Sequence, residues 1–557
     1  MNPSSKPSLD EQLLKIRREA EERDAQTKAQ KAGLNYLNLA TAPIQVEALK
    51  LVAEERARRL RVAPFQLKGK ELALAVLDPG AAGVKELVQE LASKSLAAKI
   101  FIVSASSLTY AWTYYKYVVA VAEEITGKVN IEEQRFQSLY KSLVDLEKVK
   151  KEIENFDLKT FHTGQILEVA LAGAMANRAS DIHFEAEEKG VRLRYRIDGL
   201  LHDIVPGLST DIYKFLLSRI KLLSNLKLNV QDAPQDGRFT IGLDAKQIEI
   251  RVSINPSEFG ETIVMRVLDP SAIQLSMAQL GLRKDDLRII EEELKKPNGM
   301  ILNSGPTGSG KTTTLYAFLL HKRTPETKII TIEDPIEYRL EDIEQTQVKP
   351  EAGYTFASGL RSLMRQDPDI ILVGEVRDKE TAEIGMQAAL TGHLVFSTVH
   401  ANSAAGAIPR LLDLGVKPVT IGPALNLIIA QRLIRRLCEC KSLEKASSGL
   451  EKQIKQFLAK LPKRVDQKEF QEIRIYKPVG CPRCGGLGYK GRVAVFELLK
   501  VDESFEKLIK PEASEGDLHQ ASLKQGMVTM QQDGILKVIA GMTTFEEVEG
   551  ATGPLNI

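Results

Sequence analysis

The chain has 557 residues, too many for one hydrophobic core, because single cores stop growing at about 250–300 residues. Hydrophobic residues make up 43% and charged residues 27%, as in globular proteins, and a net charge of +2 gives no overall attraction to nucleic acid. No apolar run reaches the roughly 20 residues that span a bilayer, and residues 1–31 lack the apolar segment of a signal peptide. We therefore expect a multidomain protein in the cytoplasm.

Two charged stretches frame the first part of the chain. Residues 1–32 predict a charged helix or tail, in which Leu9, Leu13 and Ile16 form only a thin apolar stripe. We interpret this helix as largely solvated. Residues 126–160 are again charged and compatible with helix, so we interpret them as a linker.

Between these stretches, residues 33–125 predict a small α/β domain. An apolar strand at 71–77 ends at the turn residues Asp-Pro-Gly at 78–80. Apolar positions within 84–91 then recur at helical spacing, and 99–104 predict another strand.

Residues 161–275 predict a second α/β domain. Residues 191–197 alternate between apolar and polar side chains, which indicates a strand with three arginines on one face. Asp198-Gly199 supplies the following turn, and further strands are indicated at 247–254 and 262–268.

Residues 276–430 carry a phosphate-binding loop within alternating strand and helix patterns, which indicate a parallel sheet flanked by helices. The apolar strand 299–303 runs into 305–312, which match G-x-x-x-x-G-K-[ST] in full, and 313–320 favour helix. In this pattern backbone N–H groups encircle phosphate oxygens, the lysine contacts the β- and γ-phosphates, and the last hydroxyl joins a Mg²⁺ shell. The predicted ATP-binding residues are Gly305, Pro306, Thr307, Gly308, Ser309, Gly310, Lys311, Thr312 and Thr313.

Acidic residues follow two further apolar strands of this region. Glu333 and Glu337 come at and after the end of one strand, and Glu375 follows the next. Because the carboxyl ends of parallel strands line the ligand crevice, we predict that Glu375 helps Thr312 to hold Mg²⁺. Either Glu333 or Glu337 then orients or deprotonates the attacking water, and the sequence does not distinguish them.

Two histidines flank another apolar strand, 394–399. A histidine at a strand end can hydrogen-bond a γ-phosphate and report its loss. His400 ends the strand whereas His393 precedes it, so we predict this role for His400.

The chain has four cysteines, all within residues 431–500. A disulfide framework is unusual in a cytosolic chain of this size, so the clustering indicates a local metal site. The alternative is four reduced cysteines in a loop. Residues 501–557 favour helix and close the chain.

Motifs along the chain, taken together and in order, carry a family resemblance. They are the phosphate loop, the acidic segments 331–338 and 363–377, the histidine segment 391–402, and the upstream segments 178–183, 194–199, 235–238 and 251–256. In these motifs the chain resembles the ATPases of type II secretion and type IV pilus assembly. Residues 33–122 resemble the N-terminal domain of the same family.

The resemblance implies an α/β fold: a RecA-like P-loop domain preceded by smaller α/β domains, with a cysteine-rich zinc insertion and a helical C-terminus. It implies a homohexamer, peripheral on the inner face of the bacterial plasma membrane, that hydrolyses ATP. Hydrolysis would drive an inner-membrane platform protein and associated assembly proteins to build pilus or pseudopilus subunits. It also implies arginine fingers from the domain before the motor, with Arg251, Arg266 and Arg238 as candidates.

The resemblance further implies that the cysteines bind zinc, since relatives often carry two Cys-x-x-Cys pairs. Cys481 and Cys484 have this spacing, whereas Cys438 and Cys440 are one residue closer. Four thiolates can still complete a tetrahedral Zn²⁺ site.

Two other functions are weighed against this one. A nucleic-acid motor shares the phosphate loop, but the sequence shows no basic stripe interleaved with aromatic residues, and Arg432, Arg435 and Arg436 also fit as surface charge. The N-terminal domain could bind a cyclic dinucleotide, but the repeats expected for that role are not evident in residues 1–60, which favours docking to the membrane complex. The sequence does not choose between a pilus and a secretion pseudopilus.

Overall fold

The computed structural model describes residues 9–69, 71–93, 96–115, 133–155, 163–243, 246–269 and 275–555. Within them, buried apolar side chains form one cluster in the N-terminal domain, one in the middle domain and two in the motor domain, with a smaller cluster under the cysteine-bearing insertion. The predicted domain boundaries at residues 125 and 160 lie outside the described residues.

The N-terminal domain is a small sheet flanked by helices. Its elements are α1 (Leu9–Ala32), β1 (Asn35–Tyr36), α2 (Val46–Leu49), α3 (Glu54–Leu60), β2 (Val62–Lys68), β3 (Glu71–Val76), α4 (Ala82–Ser93), β4 (Ala97–Ile102) and α5 (Ala105–Trp112). The strand order is β1-β4-β3-β2, with β2 antiparallel and the other pairs parallel. Both strands predicted in this part of the chain are present, as β3 and β4.

Helix α1 packs on this domain through its C-terminal half, which differs from the solvated helix that we expect from the sequence. Ala25 and Ala29 are buried, and the Glu22 carboxylate accepts hydrogen bonds from the hydroxyls of Tyr36 and Ser104. Small alanines between charged residues give a weak apolar signal, which explains the difference. The side chains of the predicted apolar stripe, Leu9, Leu13 and Ile16, are not among those that the structure describes.

The middle domain is an antiparallel sheet with helices on one face. Its elements are α6 (Glu133–Ser142), α7 (Leu146–Glu154), α8 (Thr163–Ala176), β5 (Ala179–Glu187), β6 (Gly190–Ile197), β7 (Leu200–Leu208), α9 (Thr210–Leu223), β8 (Gln235–Leu243), β9 (Lys246–Ser257) and β10 (Gly260–Leu268). The strand order is β7-β6-β5-β10-β9-β8. Strand β6 alternates between buried apolar and half-buried arginine side chains, as predicted.

The charged stretch that the sequence predicts as a linker contributes to this domain. Within its described part, 133–155, helices α6 and α7 bury Phe136, Val149 and Ile153 in the core of the middle domain. The charges of α7 lie on the opposite side of an amphipathic helix, so its composition resembles that of a linker although one face is packed.

The motor domain contains a seven-stranded sheet between two layers of helices. Its first elements are α10 (Lys284–Leu294), β11 (Gly299–Ser304), α11 (Lys311–Lys322), β12 (Ile329–Glu333), β13 (Glu344–Gln347), α12 (Phe356–Leu363), β14 (Ile370–Val373), α13 (Lys379–Leu390) and β15 (Leu394–Val399). They are followed by α14 (Ala407–Asp413), α15 (Pro418–Ala424) and β16 (Leu425–Leu437). The last elements are β17 (Ser442–Glu444), α16 (Ser448–Ala459), β18 (Ile475–Lys477), β19 (Tyr489–Lys500), α17 (Glu503–Glu506), α18 (Glu515–Lys524), α19 (Met530–Ile539) and α20 (Phe545–Thr552).

The strand order of this sheet is β13-β12-β14-β15-β11-β16-β19, and all neighbouring pairs are parallel except β16 with β19. Residues of the central strands are buried on both faces, which explains their continuous apolar sequences. Because β11, β12, β14 and β15 run in the same direction, their carboxyl ends meet at one edge, where the predicted nucleotide residues lie.

The cysteines lie on an insertion between two strands of the motor sheet. The predicted boundary at residue 430 falls inside β16, which pairs with β11 on one side and β19 on the other. Residues 438–488 therefore leave and rejoin the same sheet. Among the residues that the structure describes, none of the helices is both long and apolar enough to cross a bilayer.

Candidate active site

The phosphate loop connects β11 to α11 and depends on glycines at specific places. Gly305 has φ 150° and Gly310, the N-cap of α11, has φ 91°, conformations that side chains rarely adopt. A Cβ atom at Gly305 would lie 2.6 Å from the carbonyl oxygen of Gln431. The loop backbone thus lies directly against β16.

Lys311 begins α11 and points back over the loop. Its Nζ donates hydrogen bonds to the carbonyl oxygens of Gly305 at 2.7 Å and Pro306 at 3.0 Å. Burial lowers the pKa of the Lys311 ammonium, and the nearby Glu375 carboxylate counteracts this effect. Thr312 is half-buried at the next position of the helix, where its hydroxyl and the Glu375 carboxylate are the oxygen donors that Mg²⁺ prefers.

Glu375 lies just beyond the end of β14 in a cluster of charged groups. Its carboxylate is bonded to the guanidinium of Arg377, and its Oε2 is 3.7 Å from Nε2 of His400, which follows β15. Arg377 also lies 3.7 Å from Asp334. The structure therefore brings together Glu375 and His400, and adds Arg377 and Asp334. Both additions stand inside motifs already recognised in the sequence, which is the signal that could have identified them.

Glu333 and Glu337 have different surroundings. The Glu333 carboxylate is buried and accepts hydrogen bonds from Thr331, Tyr316 and Gln345, and burial raises its pKa. Glu337 remains about one-third exposed, at 31%, on the segment after β12. Glu333 is thus enclosed in the fold, whereas Glu337 is accessible to solvent.

The three predicted arginine fingers occupy one transverse row of the middle sheet. Arg251 on β9 is the direct neighbour of Arg238 on β8 and of Arg266 on β10. Cross-strand neighbours point to the same side of a sheet, and like charges placed opposite one another repel. This row therefore costs stability unless the positive charges are compensated.

Arg251 is the arginine of this row that contacts the motor domain. Its Nη1 lies 3.1 Å from Oε2 of Glu337, and its Nη2 donates to the carbonyl oxygen of Ile336 at 2.8 Å. Arg266 pairs with Asp181 at 3.1 Å, and Arg238 lies 3.6 Å from Glu249, both within the middle domain. The middle domain and the loop after β12 thus meet at Arg251.

His393 and Arg435 have structural partners. His393 Nδ1 lies 3.0 Å from the carbonyl oxygen of Ala388 at the end of α13. The guanidinium of Arg435 is bonded to Glu547 and stacks 4.0 Å from the centre of the Tyr489 ring. All three arginines of the basic patch, Arg432, Arg435 and Arg436, lie on strand β16.

Gln431 is a site residue that our sequence interpretation missed. It lies on β16, is buried, and accepts hydrogen bonds from residues on both sides of the phosphate loop. The available signal was an uncharged polar residue directly after the apolar run 427–430.

The four cysteines converge on one point. Their Sγ atoms lie within 4.8 Å of one another, with Cys438–Cys481 and Cys440–Cys484 at 3.9 Å and Cys481–Cys484 at 3.8 Å. A tetrahedral ion with four thiolates at about 2.3 Å places the sulfur atoms about 3.8 Å apart. The spacing fits such an ion, and the shorter Cys-x-Cys pair joins the cluster without difficulty.

Backbone groups prepare this cluster for negative charge. Burial raises the pKa of the Cys484 thiol, but hydrogen bonds, led by those from the backbone of Cys481 and Gly488, outweigh it and lower the pKa to about 7. The segment that follows also contacts the middle domain, because the N–H of Gly491 donates to Asp198 at 2.8 Å. Thiolate is the form that ligates metals.

A phosphate loop at the edge of a parallel sheet, with carboxylates at the ends of neighbouring strands, defines the chain as a P-loop ATPase. Residues 161–550 match the family model of the type II/IV secretion system protein, and residues 32–117 match that of the MshEN domain. The chain therefore belongs to the type II/IV secretion system protein family.

Curated relatives carry more specific names. The chain is 37% identical over 530 residues to the type IV pilus assembly ATPase PilB of Myxococcus xanthus, covering 94% of this chain and 89% of that one. It is 41% identical over 389 residues to the type II secretion system ATPase E of Vibrio cholerae, covering 70% and 75%. The chain is thus an ATP hydrolase of the secretion and pilus assembly type.

A solved structure supports the fold alone. The ATPase DotB of Legionella pneumophila aligns with a TM-score of 0.51 at 21% identity, covering 71% of this chain and 97% of that one. The predicted fold class, a P-loop domain preceded by smaller α/β domains and interrupted by a four-cysteine insertion, is confirmed.

Proposed function

We propose that this chain is a hexameric motor on the inner face of the bacterial plasma membrane. It hydrolyses ATP to drive assembly of type IV pilus or type II secretion pseudopilus subunits through a membrane platform protein. The observation that carries the proposal is the contact of Arg251, from the middle domain, with the segment after β12 at the edge that holds the phosphate loop. Hydrolysis at this edge would change the relative position of two domains.

The phosphate loop and the first turn of α11 would hold the nucleotide. Residues 305–310 present backbone N–H groups to the phosphates, and Lys311 exchanges its hydrogen bonds to loop carbonyls for the β- and γ-phosphates. Thr312 and Glu375 would hold Mg²⁺, which supplies Lewis-acid stabilisation of phosphate charge. His400, beside Glu375, is placed to respond to the γ-phosphate.

We assign the water-orienting role to Glu337 rather than Glu333. A general base needs an open approach for water and free lone pairs. Glu333 is buried and has three hydrogen-bond donors, so it holds the end of β12 in place. Glu337 is accessible, and only its Oε2 is paired with Arg251 at the domain boundary.

The arginine row leaves two guanidinium groups largely exposed beside the contact between the two domains. Arg238 and Arg266 keep 74% and 57% of their side chains exposed, although they stand beside Arg251. Such exposed guanidinium groups on a row that faces the nucleotide edge suit the stabilisation of phosphate charge, in the same chain or in a neighbouring subunit.

The ring proposal predicts that ATP turnover per chain rises with chain concentration, because complete sites form only on assembly. The measurement is Mg²⁺-dependent phosphate release over a dilution series, with particle mass determined by light scattering on the same samples. Constant turnover from a monomeric species would overturn the ring. Stimulation by single-stranded DNA would instead favour the nucleic-acid motor, and its absence serves as the control for that alternative.

We also propose that the four cysteines hold a structural Zn²⁺ ion. The sulfur spacing fits a tetrahedral tetrathiolate site, and four thiolates leave no open position for chemistry. The ion would close the insertion at its base, where residues 485–491 approach the middle domain.

Zinc content tests this site directly. We expect about one equivalent of zinc per purified chain by elemental analysis, and a loss of both metal and thermal stability in Cys484→Ser. The matched control is Arg483→Ala, since Arg483 lies between Cys481 and Cys484 in the sequence but is mostly exposed and pairs with Glu439 at the surface. Less than about half an equivalent of zinc per wild-type chain would contradict the zinc proposal.

A further inference from the structure

A buried polar residue, Gln431, lies beneath the phosphate loop. Gln431 lies on β16, the strand next to β11, and only 2% of it is exposed. Its side-chain oxygen Oε1 accepts hydrogen bonds from Nδ2 of Asn303 at 3.1 Å and from Oγ1 of Thr314 at 2.9 Å. Asn303 lies at the end of β11 and Thr314 in the first turn of α11. One buried oxygen thus joins the two segments that flank the loop.

Gln431 also lies against the loop itself. Its carbonyl oxygen is 2.6 Å from where a Cβ atom at Gly305 would stand, and its Nε2 is 2.8 Å from the corresponding point at Gly310. The first and last glycines of the loop are therefore packed on the same residue. A side chain at either position would collide with Gln431.

These contacts fix the separation of the two ends of the loop. Asn303 and Thr314 are both fully buried, so each would lose its hydrogen-bond partner without access to water if Gln431 were apolar. The loop can encircle phosphate only when its N–H groups converge, which requires that β11 and α11 stay at a set distance. Preorganisation of this kind raises affinity because the ordering cost is met before binding.

We propose that Gln431 is a positioning residue that holds the phosphate loop in its nucleotide-binding shape. This inference rests on the proposed function of residues 305–312 as the ATP site. Gln431 touches neither the nucleotide nor the reacting atoms; it acts through Asn303, Thr314 and the two loop glycines. Its loss would weaken nucleotide binding more than it slows the chemical step.

Gln431→Met keeps the side-chain volume and removes the acceptor, and Thr314→Val removes one donor with little change of shape. We expect Mg²⁺-ADP and Mg²⁺-ATP to bind about tenfold more weakly to Gln431→Met, the size of a loss of one to two neutral hydrogen bonds, while kcat changes little. Thr314→Val should show a smaller effect in the same direction. The double variant should be weaker than wild type by less than the product of the single effects, because both changes remove the same bond.

A matched control separates positioning from general stability. Thr543 is also fully buried and donates to the carbonyl oxygen of Arg435 near the other end of β16, so Thr543→Val should lower the unfolding temperature without changing nucleotide affinity. Wild-type affinity in both Gln431→Met and Thr314→Val, with only a Thr543→Val-like loss of stability, would overturn the positioning role. Lys311→Ala distinguishes failure of the positioning role from failure of the proposed ATP site. If Lys311→Ala also binds nucleotide normally, the loop is not the ATP site, and the proposed function fails instead.

Discussion

Lys311→Ala is expected to lose ATP turnover by at least about a hundredfold, the cost of removing one preorganised charged donor from developing phosphate charge. The reason is visible in the loop, where the Lys311 ammonium is held over the carbonyl oxygens of Gly305 and Pro306. Phosphate release and binding of a fluorescent ATP analogue measure the loss. The fold should remain intact, because burial lowers the pKa of Lys311 and its removal takes away a poorly solvated charge.

Lys322→Ala is the matched control for this variant. Lys322 lies at the opposite end of the same helix, α11, so it tests whether loss of any lysine from that helix impairs turnover. We expect wild-type turnover from Lys322→Ala and an unchanged unfolding temperature for both variants. If Lys311→Ala retained more than about a tenth of wild-type activity, residues 305–312 would not be the hydrolytic site.

The Arg251–Glu337 pair is expected to give the second large effect. Arg251→Ala should reduce kcat by roughly a thousandfold, the range found for arginine fingers, while ATP affinity changes much less. Glu337→Gln should reduce kcat by about a hundredfold or more, because it removes the carboxylate that we propose orients the attacking water. Both follow from one contact, in which the middle domain reaches the segment after β12. Single-turnover kinetics with direct binding measurements separate the effect on kcat from that on affinity.

Two further variants make this prediction specific. Arg192 lies on the same polar face of the middle sheet and pairs with Glu187, so Arg192→Ala removes an arginine without removing the contact to the motor domain. We expect near-wild-type turnover from it. Glu333→Gln should mainly lower stability, because Glu333 is buried under three donors. If Glu333→Gln lost turnover at normal stability while Glu337→Gln stayed active, the general-base role would have to be assigned to Glu333.

Local patterns in the sequence were enough to predict the central strands and the phosphate loop of the motor domain. The strands that precede Gly305, Glu333 and Glu375 are continuous apolar runs, since both faces of a central parallel strand are buried, and such runs are readable without a structure. The phosphate loop is readable for a related reason: its glycines and lysine must stand at fixed spacing for backbone N–H groups to surround phosphate.

Features that depend on contacts between distant parts of the chain were harder to predict from the sequence. The stretch 133–155 has the composition of a linker, yet α6 and α7 pack on the middle domain, because a helix needs only one apolar face to be buried. The change in sequence pattern near residue 430 suggested a domain boundary there. Strand β16 continues through it, because strand β19, about sixty residues later, supplies its antiparallel partner.

The sequence by itself determined the class of the protein and the phosphate loop, because both depend on residue types at short, fixed spacing. It also indicated that the four cysteines form one group, because all of them lie within residues 431–500. Only the tertiary structure decided which of two nearby glutamates is accessible, which arginine reaches the motor domain, and that Gln431 lies beneath the loop. The first outcome depends on burial, and a carboxylate has the same letter in the sequence whether it is enclosed or exposed. The other two depend on contacts between residues 86, 117 and 128 positions apart.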